Sequence, residues 1–133
     1  MAFLAEDGTK VQGANSLSGI TDADTFHEDR GETDWALLTS QEKQQALIKA
    51  SDYFVYKYQN KMPGIKGSAE QTFHFPAEGA KYLNGYDIAN NVVPKEVIYC
   101  VCDLAFRSTK NDLMSNGSVD VSSVGVVEET NQV

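Results

Sequence analysis

Thr39-Ser40-Gln41-Glu42-Lys43-Gln44-Gln45-Ala46-Leu47-Ile48-Lys49-Ala50-Ser51-Asp52-Tyr53-Phe54 reads as the opening of a long amphipathic helix. Thr39 and Glu42 have the spacing of a capping box, in which each side chain can bond the other residue's backbone N–H. Ala46, Leu47, Ala50, Phe54 and Tyr58 then recur at intervals of three and four, with Lys43, Lys49, Asp52 and Lys57 between them. An apolar stripe of that period buries one helix face. The pattern predicts a helix from Ser40 to Asn60, and such a stripe needs a partner.

The partner is legible downstream. Pro94 suits the first position of a helix, and Val97, Val101, Leu104, Ala105 and Leu113 continue as an apolar stripe toward a stop at Asn116-Gly117. The two long helices are expected to pack on each other. Upstream, Thr21 as N-cap, acids in the first turn, and Ala23, Phe26 and Arg30 at helical spacing predict a short helix that Gly31 ends. Between the long helices the pattern changes. Met62-Pro63-Gly64 and Gly67 break the helix, Gly64-Ile65-Lys66-Gly67 reads as a turn, and Gln71 to Phe75 alternates like a strand until Pro76. Asn84-Gly85, inside Tyr82 to Ile88, signals a tight hairpin because both residues tolerate positive φ.

The expected fold is therefore mainly α: a small helical bundle with two long helices, a β-hairpin insert and a C-terminal extended tail. Residues 1–14 read as a flexible N-terminal arm, 15–117 as the helical domain with its insert at 61–93, and 118–133 as the tail. Val119, Val121, Val124, Val126 and Val127 give the tail strand character without an obvious partner in the chain, so contact with another subunit is one outlet for its backbone groups.

Composition narrows the function. The 133 residues hold 31 Leu, Ile, Val and Phe, enough for one modest core. Nineteen acids against eleven Lys and Arg give a formal charge of −8, an unfavourable balance for generic nucleic-acid binding, which draws its affinity from basic residues on phosphates. The charge is unevenly placed: six acids and only Arg30 lie in Asp22 to Asp34, and five lysines against Asp52 in Lys43 to Lys66. These are either solvated faces or surfaces for partners. No apolar run approaches the ~20 residues of a membrane span, and the first residues lack a signal-peptide pattern, so the protein is expected to act where it is made.

Catalytic and metal motifs are not found in the local sequence. Cys100 and Cys102, two apart on a helix, point away from each other and read as small buried residues in a reduced protein. His27 and His74 stand in no ligand spacing, and His74 reads as a solvent-facing strand residue. The Gly64 to Gly67 stretch lacks a phosphate-loop frame. No enzyme, cofactor or metal is expected.

Six short motifs, in order, then form a resemblance. Asn15-Ser16-Leu17 with Asp22-Ala23-Asp24-Thr25-Phe26, Ala46 to Phe54, Lys66-Gly67, Phe75-Pro76, Gly85-Tyr86-Asp87-Ile88 with Val93-Pro94-Lys95-Glu96-Val97, and Val124-Gly125-Val126-Val127-Glu128 resemble a tailed-phage family often labelled a primosomal, single-stranded-DNA-binding-like protein. Leu17 and Phe26 stand where Tyr is usual, Phe75 where Trp is usual, and Ala77 replaces a common Arg.

What the resemblance implies is a structural virion protein at the neck, assembled in the host cytoplasm. It would be a head-to-tail connector, or adaptor, forming a twelvefold homo-oligomeric ring beneath the portal protein. The ring would seal the DNA-filled head and dock the next neck or tail-terminator protein, while packaged double-stranded DNA passes without specific binding and no membrane is involved. Candidate interface residues are Phe73, Phe75, Pro76, Tyr82, Tyr86, Val119, Val121, Val124, Val126 and Val127. The alternative is a single-stranded-DNA-binding protein of phage replication. Such proteins join a basic groove to aromatic stacking platforms, and Phe73, Phe75, Tyr82 and Tyr86 lie near Lys57, Lys61 and Lys66 in sequence.

Overall fold

The structure is a computed structural model that describes residues 2–58, 60–111 and 113. It contains α1 (Ile20–Asp29), α2 (Thr33–Ala36), α3 (Ser40–Tyr58), β1 (Ile65–Lys66), β2 (Ala77–Glu78) and α4 (Lys95–Ser108). The chain is mainly helical with a small antiparallel β element, as its patterning implies. No described helix is long and apolar enough to cross a membrane.

The capping box forms as its spacing requires: the Thr39 N–H donates to Glu42 Oε1 at 2.8 Å and the Glu42 N–H to Thr39 Oγ1 at 3.1 Å. Two N–H groups that helix geometry leaves orphaned are thereby satisfied. Ala46, Leu47, Ala50 and Phe54 of α3 are buried, as are Val101, Cys102 and Ala105 of α4, and α3 shares its broadest contact with α4. Each large apolar side chain buried in this way contributes about 1.5–3 kcal/mol. Cys102 is fully buried and Cys100 half-buried, both free thiols. Desolvation raises the Cys102 pKa to about 11, so it packs as a small apolar residue.

α1 ends in a Schellman motif: Gly31 (φ +71°) donates to Glu28 O, and Glu32 to His27 O. Its start differs from expectation, because Gly19 is the N-cap and Thr21 lies within the first turn. The short α2, unmarked by any apolar period, buries Trp35 beside α1. At α4, Pro94 is the N-cap rather than the first helical residue, and the helix stops at Ser108 instead of continuing to Asn116. The 116–117 stop, and the Val-rich tail, lie outside the described residues.

The lead-in to α1 is packed rather than loose. The buried Glu6 carboxylate accepts the N–H groups of Gly8, Lys10 and Val11 at 2.9, 3.0 and 2.8 Å. A parallel bridge joins Ala5 to Ser16, and Leu17, itself in the core, donates its N–H to Ser51 Oγ of α3 at 2.9 Å. A segment rich in Gly, Asn and Ser gives no periodic signal, yet its polar side chains satisfy the turns that fold it onto the bundle.

Candidate nucleic-acid interface

The insert between α3 and α4 hangs on one amide. Gln71, 1% exposed, donates from Nε2 to the carbonyls of Phe73 (2.8 Å), His74 (3.2 Å) and Pro76 (3.0 Å), while Gly67 N–H also reaches Pro76 O at 3.1 Å. This draws residues 67–76 into a compact loop. Gln12 bridges to Gln71, so the lead-in supports the insert. The strand-like Gln71 to Phe75 run makes only that single bridge. The regular pairing lies instead between Ile65–Lys66, where the glycines suggested a turn, and Ala77–Glu78. Gly64 at φ +76° sits so close to Glu78 O and Ala80 that no side chain fits there.

The Asn84-Gly85 turn forms. Gly85 (φ +91°) donates to Tyr82 O, Tyr82 to Tyr86 O, and Asn84 Oδ1 accepts the Tyr86 N–H. Its flanks are shorter than a hairpin, a lone Lys81–Asp87 bridge reinforced by a salt bridge between those side chains. Ile88 N–H donates to Ala80 O at 2.9 Å and returns the chain to the core.

Between this turn, the Lys61–Pro63 segment and the first turn of α4 lies an open groove of about 850 Å³. Lys61, Lys81, Lys95 and Glu96 line it, with Lys81 paired to Asp87. Tyr82 lies on its rim side at 36% exposure, and buried Phe75 and Ile88 line its interior. The N-terminal end of α4 also faces it, adding the partial positive charge of a helix start. His74, expected to face solvent, is half-buried with Nε2 2.7 Å from Pro63 O, which steadies the groove's Pro63 edge.

Of the residues expected at an interface, Phe73, Phe75 and Pro76 are core residues, because the Gln71 bracket turns their loop inward. Tyr82 and Tyr86 are exposed around the turn, as is Leu83, which is fully exposed. Val119, Val121, Val124, Val126 and Val127 lie outside the described residues. Lys57 and Lys66 do not line the groove. Lys81 and Lys95 do, and the signals for them were their positions beside Asn84-Gly85 and after Pro94.

The acidic block faces a different hollow. A cavity of about 380 Å³ is lined by Asp24, His27, Glu28, Glu32, Trp35 and Lys43 among others. Lys43, from the basic block, binds Asp24 at 2.9 Å, so the two charge blocks partly neutralise each other where α1 meets α3. His27 is buried there, its Nε2 2.9 Å from Cys102 O, and desolvation holds its pKa below the usual value.

Over residues 1–132 the chain matches the model of a family described as "Putative DnaT-like ssDNA binding protein". No curated protein and no solved structure matches it.

Proposed function

The chain belongs to this DnaT-like ssDNA binding family, and from that premise we propose that the groove beside the Asn84-Gly85 turn binds single-stranded DNA. One observation carries the reading: Lys61, Lys81, Lys95, the Tyr82 ring and the positive end of α4 meet in one open groove. Lysines and helix N-termini attract phosphate, and an exposed ring offers a stacking surface for a base. The formal charge of −8 opposes this less than its size suggests. Six of the acids lie in Asp22 to Asp34, and none of these lines the groove.

Fluorescence anisotropy with a labelled oligothymidylate tests the reading on the full chain. Lys61→Gln with Lys95→Gln is expected to weaken binding about tenfold, at roughly 0.7 kcal/mol per lost phosphate contact. Tyr82→Ala is expected to cost about 1–3 kcal/mol, the worth of one stacked base. Binding that ignores all three substitutions, or no binding at low salt, overturns it.

A second reading is favoured by Leu83, fully exposed at the turn tip, and Tyr86, 73% exposed behind it. Apolar side chains so placed suit a protein contact better than a phosphate backbone. In this reading the chain is a head-to-tail connector subunit whose turn docks on a neighbouring copy, a portal protein or the next neck protein, and its acidity keeps passing DNA from sticking. Light scattering distinguishes the two: a ring-sized mass that Leu83→Ser reduces to a monomer, without oligothymidylate binding, favours the connector.

A further inference from the structure

We propose that the hollow where α1, α2 and α3 meet receives an arginine side chain of a partner protein. Charge is the first argument. Asp24, Glu28 and Glu32 line the hollow against Lys43, whose amine is already bound to Asp24 Oδ1. Among the described residues neither Glu28 nor Glu32 has an ion-pair partner. Two carboxylates on one cavity wall, with no basic group of the chain to neutralise them, favour a cation from outside.

His27 supplies the second argument, independent of the acids. It is 3% exposed, and its Nε2 lies 2.9 Å from Cys102 O. A carbonyl oxygen has no proton to give, so Nε2–H donates, and in the neutral ring, which burial favours, Nδ1 keeps its lone pair. The rings of Phe26, Trp35 and Phe106 surround the imidazole, with centroids at 4.9, 4.7 and 5.5 Å. Gln71 Oε1 is the one fully enclosed side-chain N or O without a hydrogen-bond partner among the described residues. Nδ1, which no described group bonds, is therefore not sealed in, and the hollow that His27 lines is what reaches it. A buried acceptor so placed calls for a donor.

The chemistry of the walls selects the cation. The hollow, about 380 Å³, is of ordinary size for a ligand site, and Trp35 and Ala36 give it apolar walls. Among the described residues no three His, Cys, Asp or Glu side chains are grouped to hold a metal ion. A guanidinium carries five N–H donors in a planar fork, so one group can serve an imidazole nitrogen and carboxylates together and stack on a ring. Its methylene stem suits the apolar walls. Leu37, 80% exposed directly after Ala36, offers a partner protein an apolar contact beside the arginine.

The test titrates the full chain with Nα-acetylarginine amide, with its uncharged isostere Nα-acetylcitrulline amide and with free arginine, followed by amide NMR. Saturable shifts are expected at the Gly31 and Thr33 N–H signals and the Trp35 indole N–H, with the citrulline compound about tenfold weaker. Glu28→Gln with Glu32→Gln is expected to weaken binding about tenfold, and His27→Phe, which keeps a ring and loses Nδ1, about fivefold. The two glutamates make no side-chain bond within the described chain, so the double variant decides the matter if His27→Phe fails to fold. No saturable shift at these signals, equal binding of the arginine and citrulline compounds, or binding that the double variant leaves unchanged overturns the proposal. Free arginine, whose carboxylate the acids repel, is expected to bind several-fold more weakly than the capped compound. Tighter binding of free arginine overturns the partner-protein assignment in favour of a small-molecule occupant.

Discussion

Lys43 of α3 reaches Asp24 of α1 at 2.9 Å, on the same Oδ1 that accepts the indole N–H of Trp35, also at 2.9 Å. One carboxylate oxygen thus joins three helices. The lysine side chain is only 13% exposed, so both of its donors are groups that lose if the acid is removed.

Asp24→Ala is accordingly expected to destabilise the fold by about 1–3 kcal/mol, the cost of leaving sheltered donors unpaired. Asp24→Asn keeps an acceptor for Trp35 and is expected to cost less. Urea denaturation followed by Trp35 fluorescence measures both.

The buried His27 makes stability depend on pH. Burial disfavours its charged form, so its pKa in the folded chain lies below the ordinary 6.5. The unfolded chain then takes up the proton first as pH falls. Stability from this residue is complete above about pH 6.5 and declines below it, toward the lower folded value. Urea midpoints are expected to fall between neutrality and about pH 5.5. In His27→Leu that part of the slope is expected to vanish, although the variant is less stable throughout.

Glu6 anchors the lead-in through three backbone N–H groups. Glu6→Ala is expected to cost about 2 kcal/mol or more, since buried amide donors lose a charged acceptor. Hydrogen exchange is the sharper check: Gly8, Lys10 and Val11 amides should lose protection while those of α3 keep theirs.

Two positive-φ glycines separate strain from close approach. A Cβ at Gly64 would meet Glu78 O at 2.6 Å, whereas one at Gly85 meets nothing. Gly85→Ala is expected to cost about 1 kcal/mol, the conformational penalty alone, and Gly64→Ala clearly more, because β1 and β2 must separate. Equal losses on thermal denaturation would contradict the arrangement of the insert.

If the groove lysines contact phosphate, oligothymidylate affinity is expected to fall with salt with a log–log slope near −2, about 0.7 for each of three contacts. Lys61→Gln with Lys95→Gln should flatten it to about −0.7. A slope unchanged by the substitutions would place the phosphates elsewhere on the chain.

The sequence by itself determined that α1, α3 and α4 form and that the two long helices pair. The period of Ala46, Leu47, Ala50 and Phe54, the Thr39 and Glu42 cap, and the Gly31 stop are local rules, fixed by backbone hydrogen bonds within a few residues. The Asn84-Gly85 turn was legible for the same reason. What the tertiary structure alone decided depends on residues far apart in the chain. Gln71 turns Phe73 and Phe75 inward, although their alternation suited an exposed edge equally well. Glu6 and Ser51 hold a lead-in that carries no period of its own. Lys61, Lys81 and Lys95 become one groove only when the insert folds back to the start of α4. A charge cluster assembled from three separate segments leaves no run in the sequence, because electrostatic proximity is set by the fold and not by chain distance.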